Sequence, residues 1–126
     1  MSNQKIETAN APSAVGPYSQ GIKRNDFVFI SGQVPYDVGA GAMCNGSVTD
    51  QTRCALQNVQ AIAEAAGTNL SKAVKITVFL TDINDFAEVN AEYEKFFPEV
   101  APARSCFAVV ALPKGAKLEI EAICAE

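Results

Sequence analysis

Pro102 to Glu126 reads PARSCFAVVALPKGAKLEIEAICAE, and the placement of its charges decides how the rest of the chain is read. After a proline, Arg104 opens an apolar, strand-like run that reaches Ala111. Leu112-Pro113-Lys114-Gly115 then forms a connection. A last strand, Leu118 to Cys124, sets Glu119 and Glu121 among Leu118, Ile120 and Ile123. Charged side chains are rarely fully buried unless paired. An arginine and a carboxylate on neighbouring strands therefore make either a salt bridge or a binding site. Glu119 and Glu121 share one strand face by period two, so spacing does not choose between them.

Upstream of this stretch, Val74 to Leu80 alternates and is rich in β-formers, which predicts a strand. A helix is expected from Asn84 or Asp85 to Pro98, with Phe86, Val89, Tyr93, Phe96 and Phe97 as its buried face. Asn90 shares that face, four residues after Phe86 and three before Tyr93. An amide there is either a buried structural hydrogen-bonder or a site residue facing an interface. Another helix is expected from about Thr49 to Ala66. Ser47-Val48-Thr49-Asp50 reads as a capping box with Asp in place of Glu, Ala55, Val59, Ile62 and Ala66 form the apolar stripe, and Gly67 follows as C′.

Towards the N-terminus, Asp37 to Gly46 has three glycines and no periodicity and reads as a loop. Gly21 to Arg24 and Phe27 to Ser31 read as strands joined at Asn25-Asp26. Ile6 to Thr8 is a short first strand, followed by the loop NAPSAVGPYSQG. The order is strands, helix, strand, helix, two strands: an α+β domain over residues 1–126, its mixed β-sheet covered by two helices on one face. The other face is expected to be apolar as well, with Ala108 and Val110 lying beside Arg104 and opposite Phe107 and Val109. A sheet apolar on both faces but covered on one needs a second protein surface, which predicts an oligomer.

Composition removes several functions. The chain has 126 residues, a formal net charge of −4 and no histidine. Without imidazole there is no Ser-His-Asp or Cys-His catalysis and no HExxH metal helix. Without a basic run, affinity for nucleic acid through phosphate neutralisation is not expected. Cys44, Cys54, Cys106 and Cys124 show neither CxxC pairing nor zinc-like spacing, so free thiols and no metal site are expected. No apolar run is long enough to span a bilayer, and MSNQKIETANAPSAVG lacks the apolar core of a secretory signal. The expectation is a soluble cytoplasmic protein.

The chain resembles the RidA family (also called YjgF), the reactive-intermediate deaminases. The resemblance rests on GPYSQG at Gly16 to Gly21, ISGQVP at Ile30 to Pro35 and NVQAIAEAAG at Asn58 to Gly67. It continues through KITVFLTDINDFAEVNAEYEKFF at Lys75 to Phe97, PARSC at Pro102 to Cys106 and LEIEA at Leu118 to Ala122. It implies a chorismate-mutase-like subunit in a homotrimer, with sites in the clefts between subunits. It also implies hydrolysis of 2-imino acids, 2-iminobutanoate and 2-iminopropanoate, to 2-oxo acids and ammonia. Carried over residue by residue, Arg104 holds the substrate carboxylate, Glu119 holds the water, Cys106 lines the pocket, and Tyr18, Ser31, Gly32 and Asn90 add to its wall. Two departures bear on substrate preference: a short Pro98 to Ala101 segment, and Val110 where a smaller residue is expected.

The implied chemistry suits a site without histidine. A planar guanidinium matches a carboxylate bidentately and fixes its orientation. A glutamate polarises water and moves a proton, and a protonated imine carbon is already electrophilic, so no metal or organic cofactor is required. Arg104 has a structural alternative, an ion pair with Glu119 or Glu121. Cys106 invites a nucleophile reading, but imine hydrolysis needs no covalent intermediate. Two other functions compete: a non-catalytic trimeric binder or sensor of small 2-oxo carboxylates, and an endoribonuclease, which net charge and the missing histidine oppose.

Overall fold

The computed structural model describes residues 2–126. Ser47 starts the first helix, α1 (Val48–Ala65), with both bonds of the expected capping box: its hydroxyl accepts from Asp50 N at 3.1 Å, and the Asp50 carboxylate accepts from Ser47 N at 3.4 Å. Such a cap stabilises a helix by about 1 kcal/mol. Ala55, Val59, Ile62 and Ala66 are buried as the stripe requires, and Gly67 takes φ +87°, the left-handed conformation of a C′ glycine.

Six strands form the main sheet: β1 (Gln4–Ile6), β2 (Gly21–Arg24), β3 (Phe27–Gln33), β6 (Ala73–Leu80), β7 (Ala103–Ala108) and β8 (Leu118–Ala125). Their order across the sheet is β1-β2-β3-β8-β6-β7, and every pairing is antiparallel except β6 with β7. The Asp37–Gly46 stretch, expected to be a plain loop, carries a small hairpin of β4 (Tyr36–Asp37) and β5 (Ala42–Met43). The second helical region is broken into a 3₁₀ turn at Ile83–Asp85, α2 (Phe86–Tyr93) and a 3₁₀ turn at Glu94–Phe96. α1 packs against β3, β8 and α2.

Two sequence expectations need correction. β7 and β8 are not neighbours, because β6 lies between them. The chain leaves β6 through α2 and returns parallel to it, as a helical crossover allows. β8 then inserts on the other side of β6, next to β3. The faces are also reassigned. Residues directly opposite in a ladder share a face, and Arg104 and Cys106 pair with the fully buried Ile76 and Val78. Arg104, Cys106 and Ala108 therefore lie on the helix-covered face at its β7 edge. Val110 lies beyond the end of β7 and is fully exposed.

The face without helices is nonetheless apolar. It presents Phe27, Phe29 and Phe107, each between 42% and 46% exposed, with Phe79 and Ile123 half-buried among them. Phe79 and Phe107 meet edge to face with centroids 5.3 Å apart. A cluster of this kind left to water is what an interface between subunits would remove from solvent.

Candidate active site

Arg104 stands on the edge strand under α2. Its Nη1 donates to Asn90 Oδ1 at 2.7 Å, and its guanidinium carbon lies 4.7 Å from the Tyr93 ring centroid and 5.6 Å from that of Phe86. These contacts explain why Phe86, expected in the buried face, is 39% exposed: it flanks the arginine instead of entering the core. Asn90 holds the arginine in place through this bond. α2 is itself fixed to α1, because the buried Glu92 carboxylate accepts from Arg53 and from Lys95, both at 3.0 Å.

No carboxylate lies within salt-bridge reach of Arg104 among the described residues. Within one chain the structural alternative, an ion pair with Glu119 or Glu121, does not form: both glutamates point to the other face of the sheet, paired with Phe79 and Thr77. The guanidinium keeps donors for a ligand and is held flat by aromatic faces, a setting that favours a bidentate carboxylate.

Cys106 follows two residues along the same face. Burial pushes its thiol pKa up, and Arg104 only partly offsets that, so the thiol is protonated at neutral pH. Tyr93 beneath the arginine has a buried hydroxyl with no hydrogen-bond partner among the described residues, and burial raises its pKa as well.

Glu119 occupies a different place. It is half-buried at the floor of a cavity of about 670 Å³ whose walls include Val15, Tyr18, Gly32, Tyr36 and Lys114. Gly32 lies directly under its carboxylate: a Cβ at position 32 would come within 2.5 Å of Glu119 Oε1. The glycine leaves room for the Glu119 carboxylate in this position. Burial raises the Glu119 pKa, and the Glu121 charge raises it further.

Tyr18 is 52% exposed on the loop above this floor, where its hydroxyl oxygen accepts from Val15 N at 3.4 Å. Ser31 is not in this cavity. Its hydroxyl donates to Ser19 O at 2.7 Å and lines a separate depression with Glu121. Lys114 and Gln20 are among the cavity residues that sequence reasoning missed. The signal for Lys114 was the Pro-Lys-Gly turn, in which it takes φ +58°. Gln20 sat unremarked inside the GPYSQG block.

The candidate residues thus fall into two separate groups. Arg104, Asn90 and Cys106 form one at the β7 edge of the helix-covered face, while Tyr18, Gly32 and Glu119 form the other across the sheet. Arg104 and Glu119, divided in this way, cannot both touch one small ligand within a single chain. Among the described residues no cluster of His, Cys, Asp or Glu could hold a metal ion, and none of their helices is long and apolar enough to cross a membrane.

The fold is a small α+β domain that sets a guanidinium without a carboxylate partner, among the described residues, and a half-buried glutamate on opposite faces of one sheet. The chain belongs to the family described as Endoribonuclease L-PSP, the RidA/YjgF family, whose sequence model matches residues 8–126. It is 54% identical to the RutC family protein y4sK of Sinorhizobium fredii, with 95% of each chain covered. It is 52% identical to the 2-iminobutanoate/2-iminopropanoate deaminase of Salmonella typhimurium, with 96% of each covered. Among solved structures, Escherichia coli TdcF with bound serine superposes with a TM-score of 0.93 at 46% identity, covering 98% of each chain.

Proposed function

We propose that this chain hydrolyses small 2-imino acids, 2-iminobutanoate and 2-iminopropanoate among them, to 2-oxo acids and ammonia, in a homotrimer whose sites lie between subunits. The observation that carries the reading is Arg104, aimed by Asn90, stacked on Tyr93 and without a carboxylate partner among the described residues. Deaminase relatives near 50% identity support the reaction class. TdcF, solved with bound serine, is a relative that takes a ligand with an α-carboxylate.

In this reading the substrate carboxylate pairs with Arg104 through two parallel N–H···O bonds, while Nη1 keeps its second hydrogen on Asn90. That fixes the C=N carbon over the cleft. Glu119 of a neighbouring copy, held over Gly32, accepts a proton from water as the oxygen adds to that carbon. The protonated Glu119 returns that proton to the nitrogen of the resulting carbinolamine and then takes the hydroxyl proton as the C–N bond breaks, the C=O of the 2-oxo acid forms and ammonia leaves. Burial, and then the Glu121 charge, raise the Glu119 pKa above the ordinary glutamate value, which makes the carboxylate a stronger base for this proton exchange. Cys106, protonated, serves as pocket wall.

The test generates 2-iminobutanoate in situ with an amino-acid oxidase or dehydratase and follows its loss with and without the protein. Acceleration that survives a chelator, together with a trimer by light scattering, is the expected result. No acceleration, with a 2-oxo acid still binding at Arg104, would replace the enzyme with a non-catalytic binder.

A further inference from the structure

We propose that Gln20 is a positioning residue for the Glu119 half-site, setting the gap between the loop that carries Tyr18 and the floor formed by Gly32 and Glu119. The role rests on the reading of that cavity as half of the active site.

Residues 8–20 run across the cavity mouth as a strap, and Ala9, Ala11, Pro12, Ser13, Val15 and Tyr18 of the wall all come from it. The strap contains two prolines and Gly16, and it forms neither helix nor strand until β2 begins at Gly21. A segment of this kind has no ladder to satisfy its backbone groups, so other donors and acceptors must hold its shape. Gln20 supplies them. Its side chain is 3% exposed and uses both ends of the amide. Oε1 accepts from Thr8 N at 2.7 Å, while Nε2 points at Thr8 O, Ala11 O and Pro12 O at 3.0, 3.3 and 2.8 Å.

The same residue is tied to the floor. Its carbonyl accepts from Ser31 N at 2.9 Å, and Ser31 precedes Gly32 under the Glu119 carboxylate. The Ser31 hydroxyl fixes the adjacent Ser19 carbonyl. Gln20 is therefore a rigid link, with its backbone on the floor strand and its side chain in the strap. Tyr18 sits two residues before it. No other side chain in the strap makes more than one hydrogen bond to strap backbone among the described residues.

Glutamate in place of Gln20 keeps the shape and the bond from Thr8 N, but an ionised carboxylate has no hydrogen to donate. It would face three carbonyl oxygens without a donor, which releases the strap. In Gln20→Glu, hydrogen exchange across residues 8–19 should speed up by about tenfold or more, while β6 and β8 exchange as in wild type. The imine KM should rise by about tenfold with kcat nearly unchanged, since Arg104 and Glu119 are untouched. Lowering the pH protonates the introduced carboxyl, restores one donor and should bring KM back towards the wild-type value. A structural role unconnected to the cavity would not produce that recovery.

Gln20→Met, of similar length and without polar atoms, should show the same loosening and the same KM rise without the pH recovery. It supplies the measurement if Gln20→Glu does not fold. Wild-type exchange in the strap, or a fall in kcat with KM unchanged, overturns the proposal. If the wild-type protein shows no imine hydrolysis, the functional reading fails on its own, and the exchange experiment together with 2-oxo acid binding still decides whether Gln20 holds the strap.

Discussion

Arg104 and Glu119 project from opposite faces of one sheet. Arg104 pairs across the ladder with Ile76 and Glu119 with Phe79, adjacent-parity positions of the same strand, β6. Side chains of alternate parity leave a strand in opposite directions, so no rotamer brings the two groups together. A reaction that uses both must draw them from different copies of the chain, and the uncovered Phe27, Phe29 and Phe107 face offers the apolar surface for such an assembly.

That division gives a complementation test. Arg104→Ala and Glu119→Gln should each be inactive alone. In co-refolded mixed trimers, about a quarter of the sites would combine an intact Arg104 with an intact Glu119 from a neighbour, as a head-to-tail ring interface requires. Recovery of activity on mixing supports the shared site. A mixture as inactive as its parents places both residues in one subunit's reaction and removes the trimer-cleft mechanism.

Asn90 accepts from Arg104 without adding charge. Asn90→Asp would put a carboxylate at the same place and pair the guanidinium internally. Competition with a pair worth about 2–5 kcal/mol should weaken 2-oxo acid binding by tenfold or more. Calorimetry checks it, and unchanged affinity would mean that the substrate carboxylate lies elsewhere.

Gly32→Ala tests the floor. The added methyl would meet the end of a flexible side chain, Glu119, rather than backbone. The fold should survive with little change in Tm, and the carboxylate should be displaced by more than an ångström-scale catalytic geometry tolerates, with turnover down about a hundredfold. Wild-type turnover would show that Glu119 does not work from the position over Gly32.

Glu119 has a pKa raised by burial first and by the Glu121 charge second. A general base must be ionised, so activity should fall as pH drops through a value above the ordinary glutamate pKa of 4.5. Removing the like charge in Glu121→Gln should move this acid limb to lower pH. The stability sign follows from the same shift. A carboxyl whose folded pKa is raised opposes folding when ionised, so its cost is full above the folded pKa and disappears as pH falls through it. Glu119→Gln should therefore be more stable than wild type at neutral pH, with the difference closing in acid. Thermal melts across pH read this directly.

Cys106→Ala should retain most of the activity, because the thiol is protonated at neutral pH and hydrolysis needs no covalent adduct. A loss as complete as that of Arg104→Ala would require a thiol mechanism.

Much of this was legible in the chain. The α1 cap, its stripe and Gly67 follow local rules that the surroundings do not alter. The β6 and β8 alternations are written in Ile76, Val78, Leu80, Leu118, Ile120 and Ala122. The second helix was less legible: its aromatic residues read as one buried face, yet Phe86 was diverted to flank Arg104 and the ends relaxed into 3₁₀ turns. Site chemistry was visible as residue types, and the resemblance selected Glu119 over Glu121. Gln20 was invisible as a clamp, because a polar residue in a polar loop carries no sign of burial.

The sequence alone determined α1 and the main-sheet strands, which depend on neighbours a few residues apart, and, through composition, the absence of imidazole chemistry and the identity of the charged groups. Tertiary structure decided that β6 lies between β7 and β8, that Arg104 shares the helix face and that Glu119 rests on Gly32 across the sheet. The physical reason is that pleat parity is local to each strand, whereas the face each strand presents is set by its ladder partner, and those partners here come from distant parts of the chain.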